Sequence, residues 1–346
     1  GEIFLQKHRK KNARGVKMSH KTLGVINKSL NPTKEKYKIL TFDTHERYQT
    51  QLSKTGHEFY LFRYDNCKEW DANYAEMPSN HYVLPKNSVV SGLDFDLILS
   101  QSKFGQFQVA SHLSQALGVP LVSLEHTLPI DGWPESQLNG FRSMTGDINV
   151  FISEYSVGKW NMHCDNRVIH HSVDTELFAP SDVEKNGKVL SVVNDFVNRD
   201  YCCNYLGWQR ITEGLPVKLV GNTPGLSEPA KDIHELASEY QQASVFLNTS
   251  TVSPVPTSLL EAMSCGCAVV TTATCMIPEI IENGVNGFIS NDEDELKKCV
   301  KMLLEEPHLA NIMGRAARQT ILDNFSEEKF INNWNNIFEY AYGAKK

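Results

Sequence analysis

The feature that most constrains this chain is the recurrence of short apolar runs separated by helical stretches. Tyr37–Phe42 (YKILTF), Glu58–Phe62, Asp96–Ser100 (DLILS), Pro120–Leu124 (PLVSL) and Ile148–Ile152 (INVFI) each read as a strand. His45–Lys54 and Phe107–Leu117 read as helices between them, stopped by Gly56 and Gly118. Continuously apolar strands alternating with helices belong in a parallel sheet covered on both faces. Pro180–Lys188 (PSDVEKNGK) is polar and reads as a linker. The alternation then restarts with Val189–Val193, Val217–Val220, Val245–Asn248 and Ala268–Thr271, with helices at Asp232–Tyr240 and Ser258–Ser264 and a mostly helical tail from Glu293. Two successive α/β domains are expected, and 346 residues leave room for about two. The boundaries fall as an arm over 1–36, a first domain over 37–180, a second over 181–325 and a final helix over 326–346. Ligands in such sheets bind beyond the carboxyl ends of the strands. Two facing domains create a cleft, where small-molecule sites concentrate.

Several functional classes are excluded. No glycine fingerprint follows the first strand, where the loop is Asp43-Thr44-His45-Glu46-Arg47, and no Walker-type phosphate loop exists. A dinucleotide dehydrogenase and a P-loop kinase are therefore disfavoured. No run approaches the ~20 apolar residues of a membrane span, and Ile3–Leu5 is too short for a signal core. The expected location is cytoplasmic. Eight cysteines show no disulfide framework; Cys202-Cys203 and Cys265-x-Cys267 are too close together for an ordinary zinc site and read as small buried thiols. His170-His171 has no carboxylate or cysteine partner at ligand spacing, so no metal site is expected.

Charge is distributed unevenly. Residues 1–38 carry eleven Lys/Arg against two acids, a net +9, so the other 308 carry −16 of the total −7. Such an arm either binds an anionic partner, membrane surface or nucleic acid, or lies solvated on an acidic body.

The stretch from Ser250 to Ser290 (STVSPVPTSLLEAMSCGCAVVTTATCMIPEIIENGVNGFIS) carries the chemistry. A strand leads through Pro254 and Pro256 into a helix that Thr257 or Ser258 is expected to cap. A helix start offers unpaired N–H groups and a positive dipole end, a ready site for a diphosphate. Glu261, about one turn in, is placed either to accept hydrogen bonds from a ribose diol or simply to favour the dipole. Gly266 is expected to end the helix.

Three segments resemble the retaining family 4 glycosyltransferases, which have the two-domain GT-B fold. They are Leu260-Glu261-Ala262-Met263-Ser264-Cys265-Gly266, followed by Ile277-Pro278-Glu279-Ile280 and Asn283-Gly284-Val285-Asn286-Gly287-Phe288; Val168 through Val173-Asp174-Thr175-Glu176-Leu177-Phe178-Ala179-Pro180; and Pro120-Leu121-Val122-Ser123-Leu124-Glu125-His126. The resemblance extends over about residues 37–340. The resemblance implies two Rossmann-like domains facing a cleft, the first holding acceptor and the second the nucleotide-sugar, with C-terminal helices crossing back to the first. It implies that Glu261 binds the nucleotide ribose and that Thr257, Ser258 and Leu259 present N–H groups to the diphosphate or sugar. Asn194, Gly221 and Asn222 would line the nucleotide pocket, and His126 would reach the donor sugar. The loop His45-Glu46-Arg47 after the first strand either touches acceptor or sugar or starts a helix with Glu46 near the positive end of its dipole.

Two positions depart from the family pattern. The first glutamate of its paired motif falls at Ser253, which can hydrogen-bond a sugar hydroxyl but cannot act as a carboxylate. The usual Arg and Lys phosphate clamp is reduced to Arg199, with Arg210 and Lys218 as spare candidates, although a leaving diphosphate calls for cations. The reading is a metal-independent retaining hexosyltransferase, without cofactor, using a UDP- or GDP-type sugar donor. Its acceptor, glycan, lipid or nucleic acid, is left open, as is peripheral attachment to a membrane. The alternatives are a phage-type enzyme glycosylating a hydroxylated DNA base, a non-catalytic nucleotide-sugar-binding protein and a nucleotide-sugar epimerase.

Overall fold

The computed structural model describes residues 19–30 and 34–344. Residues 1–18 and 31–33 of the basic arm therefore lie outside the described residues. Two sheets organise the chain. The first contains β1 (Lys38–Thr41), β2 (Glu58–Leu61), β3 (His81–Val83), β4 (Leu97–Ser100), β5 (Leu121–Glu125), β6 (Ile148–Phe151) and β7 (Asn166–Val168), in the order β3-β2-β1-β4-β5-β6-β7. The second contains β8 (Val189–Val192), β9 (Val217–Val220), β10 (Val245–Asn248), β11 (Ala268–Thr271) and β12 (Phe288–Ile289), in the order β12-β11-β10-β8-β9. The pairs run parallel. The predicted strands are all present, within about a residue or two at each end. The short strands β3, β7 and β12 and the helices His20–Leu30, Glu135–Arg142, Glu154–Trp160 and Tyr205–Thr212 are additional. Residues 181–188 are exposed and belong to no helix or strand.

By compactness the chain falls into two units. One holds the described residues up to Leu124, Thr145–Ile148 and the chain from Asn336; the other holds Glu125–Met144 and Asn149–Asn335. In the first unit Ile39, Leu40, Leu97, Ile98 and Leu99 are fully buried. The final helix, Glu327–Ala344, supplies this unit with Phe338, edge-on to His57 at 5.5 Å, and Tyr342, 5.2 Å from Tyr37. The described end of the arm touches acidic groups: Lys34 pairs with buried Asp96 at 2.7 Å and Lys36 with Glu58 at 3.2 Å. The helix before it, His20–Leu30, begins after Ser19, whose Oγ accepts from the Thr22 N–H. Two histidines are held neutral here. His81 stacks on Phe59 at 4.8 Å and meets Gln49 Oε1 through Nε2 at 3.0 Å; burial pulls its pKa down to about 4. His45, in left-handed conformation before helix Glu46–Ser53, is also lowered to about 4, by burial and then by Lys68.

In the second unit helix Thr257–Ser264 ends as the sequence predicted. Gly266 has φ +75°, its N–H bonds Met263 O and the Cys267 N–H bonds Ala262 O, the paired arrangement of a Schellman ending. Helix Pro307–Asn324 crosses this turn at Gly314, where an added Cβ would overlap the Gly266 carbonyl.

Two stability predictions follow from these contacts. Gly314→Ala should cost about 1–3 kcal/mol by overpacking, a drop of several degrees in a thermal melt. Gly158→Ala, in a helix with open space around it, should be neutral or stabilising. The lowered histidines set a pH dependence. The unfolded chain takes up protons below about pH 6.5, whereas folded His45 and His81 refuse them until about pH 4. Stability is therefore full above pH 6.5 and falls as pH drops through the window below it. Melting temperatures from pH 7 to 5 should decline, and His81→Gln should flatten the slope.

Candidate donor site

The carboxyl ends of β8, β9, β10 and β11 are knitted into one polar edge. After β8, Asn194 Oδ1 accepts the Asn222 N–H at 2.9 Å, and Asn222 O accepts from the Asp195 N–H at 2.8 Å. After β9, Gly221 has φ +135°, and a Cβ there would overlap the Val193 carbonyl, so only glycine lets the two loops approach this closely. Arg199 is exposed, with Nη1 3.2 Å from Asn194 O, and stands at the start of the short helix Asp200–Cys203. That helix anchors the loop after β10: the Thr251 N–H bonds Cys202 O at 2.8 Å, and Thr249 Oγ1 bonds Cys203 O at 2.9 Å. From β11, Thr272 Oγ1 and Thr274 Oγ1 donate to Ser250 O at 2.5 and 2.8 Å. Asn194, Arg199, Gly221 and Asn222 are thus brought together on the edge that bears the loop running to Ser253.

Helix Thr257–Ser264 follows that loop. Its N-cap is Pro256, with no side-chain cap, which corrects the expectation that Thr257 or Ser258 would cap it; both are helical residues. Pro256 has a fixed φ and no side-chain acceptor. The Thr257 N–H bonds Val255 O at 3.0 Å and the Leu259 N–H bonds Pro256 O at 3.0 Å, so both are already engaged locally. Ser258 is half-buried in the first turn. Glu261 is half-buried, and its Oε2 accepts a hydrogen bond of 2.8 Å from the hydroxyl of fully buried Tyr240.

Other candidates lie elsewhere. Lys218 sits within β9 and its ammonium pairs with Glu239. Arg210 makes a two-pronged pair with Glu293, at 2.7 Å on each arm. His126 follows β5 and is 8% exposed, its ring edge-on to that of His171 at 5.8 Å. In the first unit Glu46 is buried. Burial raises its pKa, but bonds from Lys68 and the Asp71 N–H outweigh that and hold it below the usual carboxylate range. Glu46 therefore fastens the 68–71 segment. Arg47 is exposed, with Nε 3.4 Å from Tyr74 O.

Sequence reasoning missed two partners. Tyr240 is one; no spacing rule links it to a residue 21 positions on. The other is Glu279, whose carboxylate accepts the N–H groups of Glu154 and Tyr155 at 3.1 and 2.5 Å, joining the Pro-Glu motif to the start of helix Glu154–Trp160. Of the cysteines, Cys202, Cys203, Cys265, Cys267 and Cys299 are buried, while Cys67, Cys164 and Cys275 are half-buried. Burial raises Cys203 and Cys267 to about 11, which keeps both as unreactive thiols. Among the described residues no three His, Cys, Asp or Glu side chains gather as a metal set, and no helix is long and apolar enough to cross a membrane.

The family model for glycosyl transferases group 1 matches residues 229–320, the segment that contains Tyr240, Glu261 and Glu279. The chain is 32% identical over 281 residues to the alpha-maltose-1-phosphate synthase of Mycolicibacterium smegmatis, covering 63% of this chain and 72% of that protein. Two solved structures share the fold. Sucrose-phosphate synthase from Thermosynechococcus elongatus has a TM-score of 0.73 at 14% identity, over 89% of this chain and 100% of the other. Anabaena HepE, crystallised with UDP, has 0.71 at 15% identity, over 87% and 99%. The two parallel Rossmann-like sheets are those of GT-B glycosyltransferases. On the family match and the M. smegmatis identity, this chain is a glycosyltransferase of the glycosyl transferases group 1 family.

Proposed function

We propose that this enzyme moves a hexose from a nucleoside-diphosphate sugar, UDP-linked in the first instance, to a hydroxyl acceptor with retention at the anomeric carbon. The observation that carries the donor reading is the placement of Glu261. Its carboxylate is gripped by Tyr240 on the helix that follows β10, inside the segment matched by the family. UDP in HepE supports uridine as the base. In this reading Glu261 accepts the ribose hydroxyls, while Asn194, Gly221 and Asn222 border the nucleotide. Arg199 and the first-turn backbone at Ser258 face the diphosphate, with Thr257 and Leu259 beside it. Lys218 is left to its pair with Glu239.

The chemistry proposed is a front-face displacement without a metal. The bond from the anomeric carbon to the diphosphate oxygen breaks, and the electron pair leaves with the nucleotide. The acceptor oxygen bonds the same face of that carbon, and its proton passes to the departing phosphate oxygen. Arg199 offsets the charge that accumulates there. Ser253 and His126 would hold sugar hydroxyls. Ser253 supplies no carboxylate, so the scheme needs no glycosyl–enzyme intermediate of the kind glycosidases form. On the acceptor side His45, neutral at pH 7, and Arg47 are the proposed contacts; Glu46 keeps its structural partners.

The test is a thermal melt with UDP, GDP and ADP. A nucleotide at ~100 times its dissociation constant should stabilise by about 2.7 kcal/mol, and Glu261→Ala should remove the shift. Proton NMR of the released glycoside should show the anomeric configuration of the donor; inversion would overturn the front-face scheme.

A further inference from the structure

We infer that Tyr240 is a positioning residue for donor binding: it fixes the rotamer of Glu261 so that the carboxylate meets the ribose. The inference rests on the ribose role proposed for Glu261. Tyr240 closes helix Ile233–Gln242 on its buried face and is 0% exposed. Its ring is packed edge-on by Phe178 at 5.9 Å and tilted against Phe246 at 5.8 Å. The Tyr240 carbonyl accepts from the Cys267 thiol at 2.9 Å, so its backbone is pinned as well. From this fixed base the hydroxyl reaches out of the core to Glu261 Oε2 at 2.8 Å. Burial, reinforced by Glu261, holds the phenol well above its ordinary pKa, so it remains a donor at every working pH.

A glutamate on a helix surface has three rotatable bonds and loses rotamer freedom when it binds a ligand. A charge-assisted hydrogen bond from a rigid donor removes that freedom beforehand. One carboxylate oxygen has two lone pairs, so the bond from Tyr240 leaves acceptor capacity for sugar hydroxyls.

The test compares UDP with 2′-deoxy-UDP by calorimetry on the full chain. GDP and its 2′-deoxy form replace them if UDP does not bind. Tyr240→Phe should weaken binding of the ribonucleotide about tenfold, the size of one bond to a charged group. Binding of the deoxynucleotide should change much less. In a Glu261→Gln background Tyr240→Phe should add little, because the carboxylate it orients is gone. A purely structural role would instead lower the melting temperature and leave the ribose preference intact; that result overturns the inference. Equal, additive losses in the double mutant overturn it too. If Glu261→Gln itself leaves binding unchanged, or no nucleotide binds, the ribose reading fails first and the inference fails with it. Should Tyr240→Phe not accumulate folded, Phe246→Leu slackens the same ring. It should give a smaller loss confined to the ribonucleotide, and an equal loss for both ligands would overturn the inference.

Discussion

A parallel sheet sends the carboxyl ends of all its strands to one edge, and that edge must satisfy its own polar groups. In the second sheet the satisfaction is mutual. Asn248, the last residue of β10, donates through Nδ2 to Thr271 Oγ1 at the end of β11 and accepts at Oδ1 from Ser250 Oγ. Two threonine hydroxyls from beyond β11 bond Ser250 O, and helix Asp200–Cys203 holds the other side of the loop. Unpaired buried groups would each cost about 1–3 kcal/mol, so these bonds fix where the chain can leave the sheet. The helix bearing Glu261 starts from that fixed exit. Its far end is set equally firmly by the Gly266 turn and by Gly314 of the crossing helix.

The charged groups of the two units divide between fastening and standing ready. Asp43 with Arg63, Asp96 with Lys34 and Glu46 with Lys68 are buried carboxylates with cationic partners. Such pairs are costly to break, because the remaining charge is stranded. Lys218 and Arg210, though cationic and in the second unit, pair with acids on neighbouring helices. Arg199 differs: it is exposed, and its guanidinium bonds the Asn194 main-chain carbonyl rather than a carboxylate. A cation bound only to a neutral group keeps more of its attraction for a diphosphate.

The fold was legible because it rests on local signals. Strands apolar on both faces and glycine helix endings declare themselves within five or six residues, as at Leu97–Ser100 and Gly266. Short strands such as Phe288–Ile289, and Asn166–Val168 with its half-buried polar members, carry too little apolar pattern to be seen. The candidate site's geometry was legible only in part. The candidate Glu261 was singled out through its motif, and the candidates Gly221 and Asn222 through their place after β9. What the sequence hid was pairing. It could not show that Glu46 would be consumed by Lys68 and the Asp71 N–H, that Lys218 would turn to Glu239, or that Tyr240 would reach Glu261. Each depends on where two elements meet in space, and no period encodes that. The cap was misjudged for a different reason: Pro256, lacking a side-chain acceptor, occupies the position expected of Thr257 or Ser258.

Ser253 sharpens what kind of catalysis the edge can support. A nucleophilic carboxylate needs both a negative charge and a fixed approach to the anomeric carbon. Ser253 has no charge, and it lies in a loop that passes through two prolines to the helix. Two carboxylates of the family-matched segment have other engagements: Glu279 receives two N–H groups at the start of helix Glu154–Trp160, and Glu261, oriented by Tyr240, is given to the ribose in the reading above. Burial raises Glu279 above the usual carboxylate range, but its two backbone donors hold it in a fixed direction toward that helix. The front-face scheme proposed above asks least of the protein's own bases. In that scheme the leaving phosphate takes the acceptor proton, so the protein's tasks would be binding, orientation and charge stabilisation. Those are the tasks for which a strand edge tied by these bonds is suited.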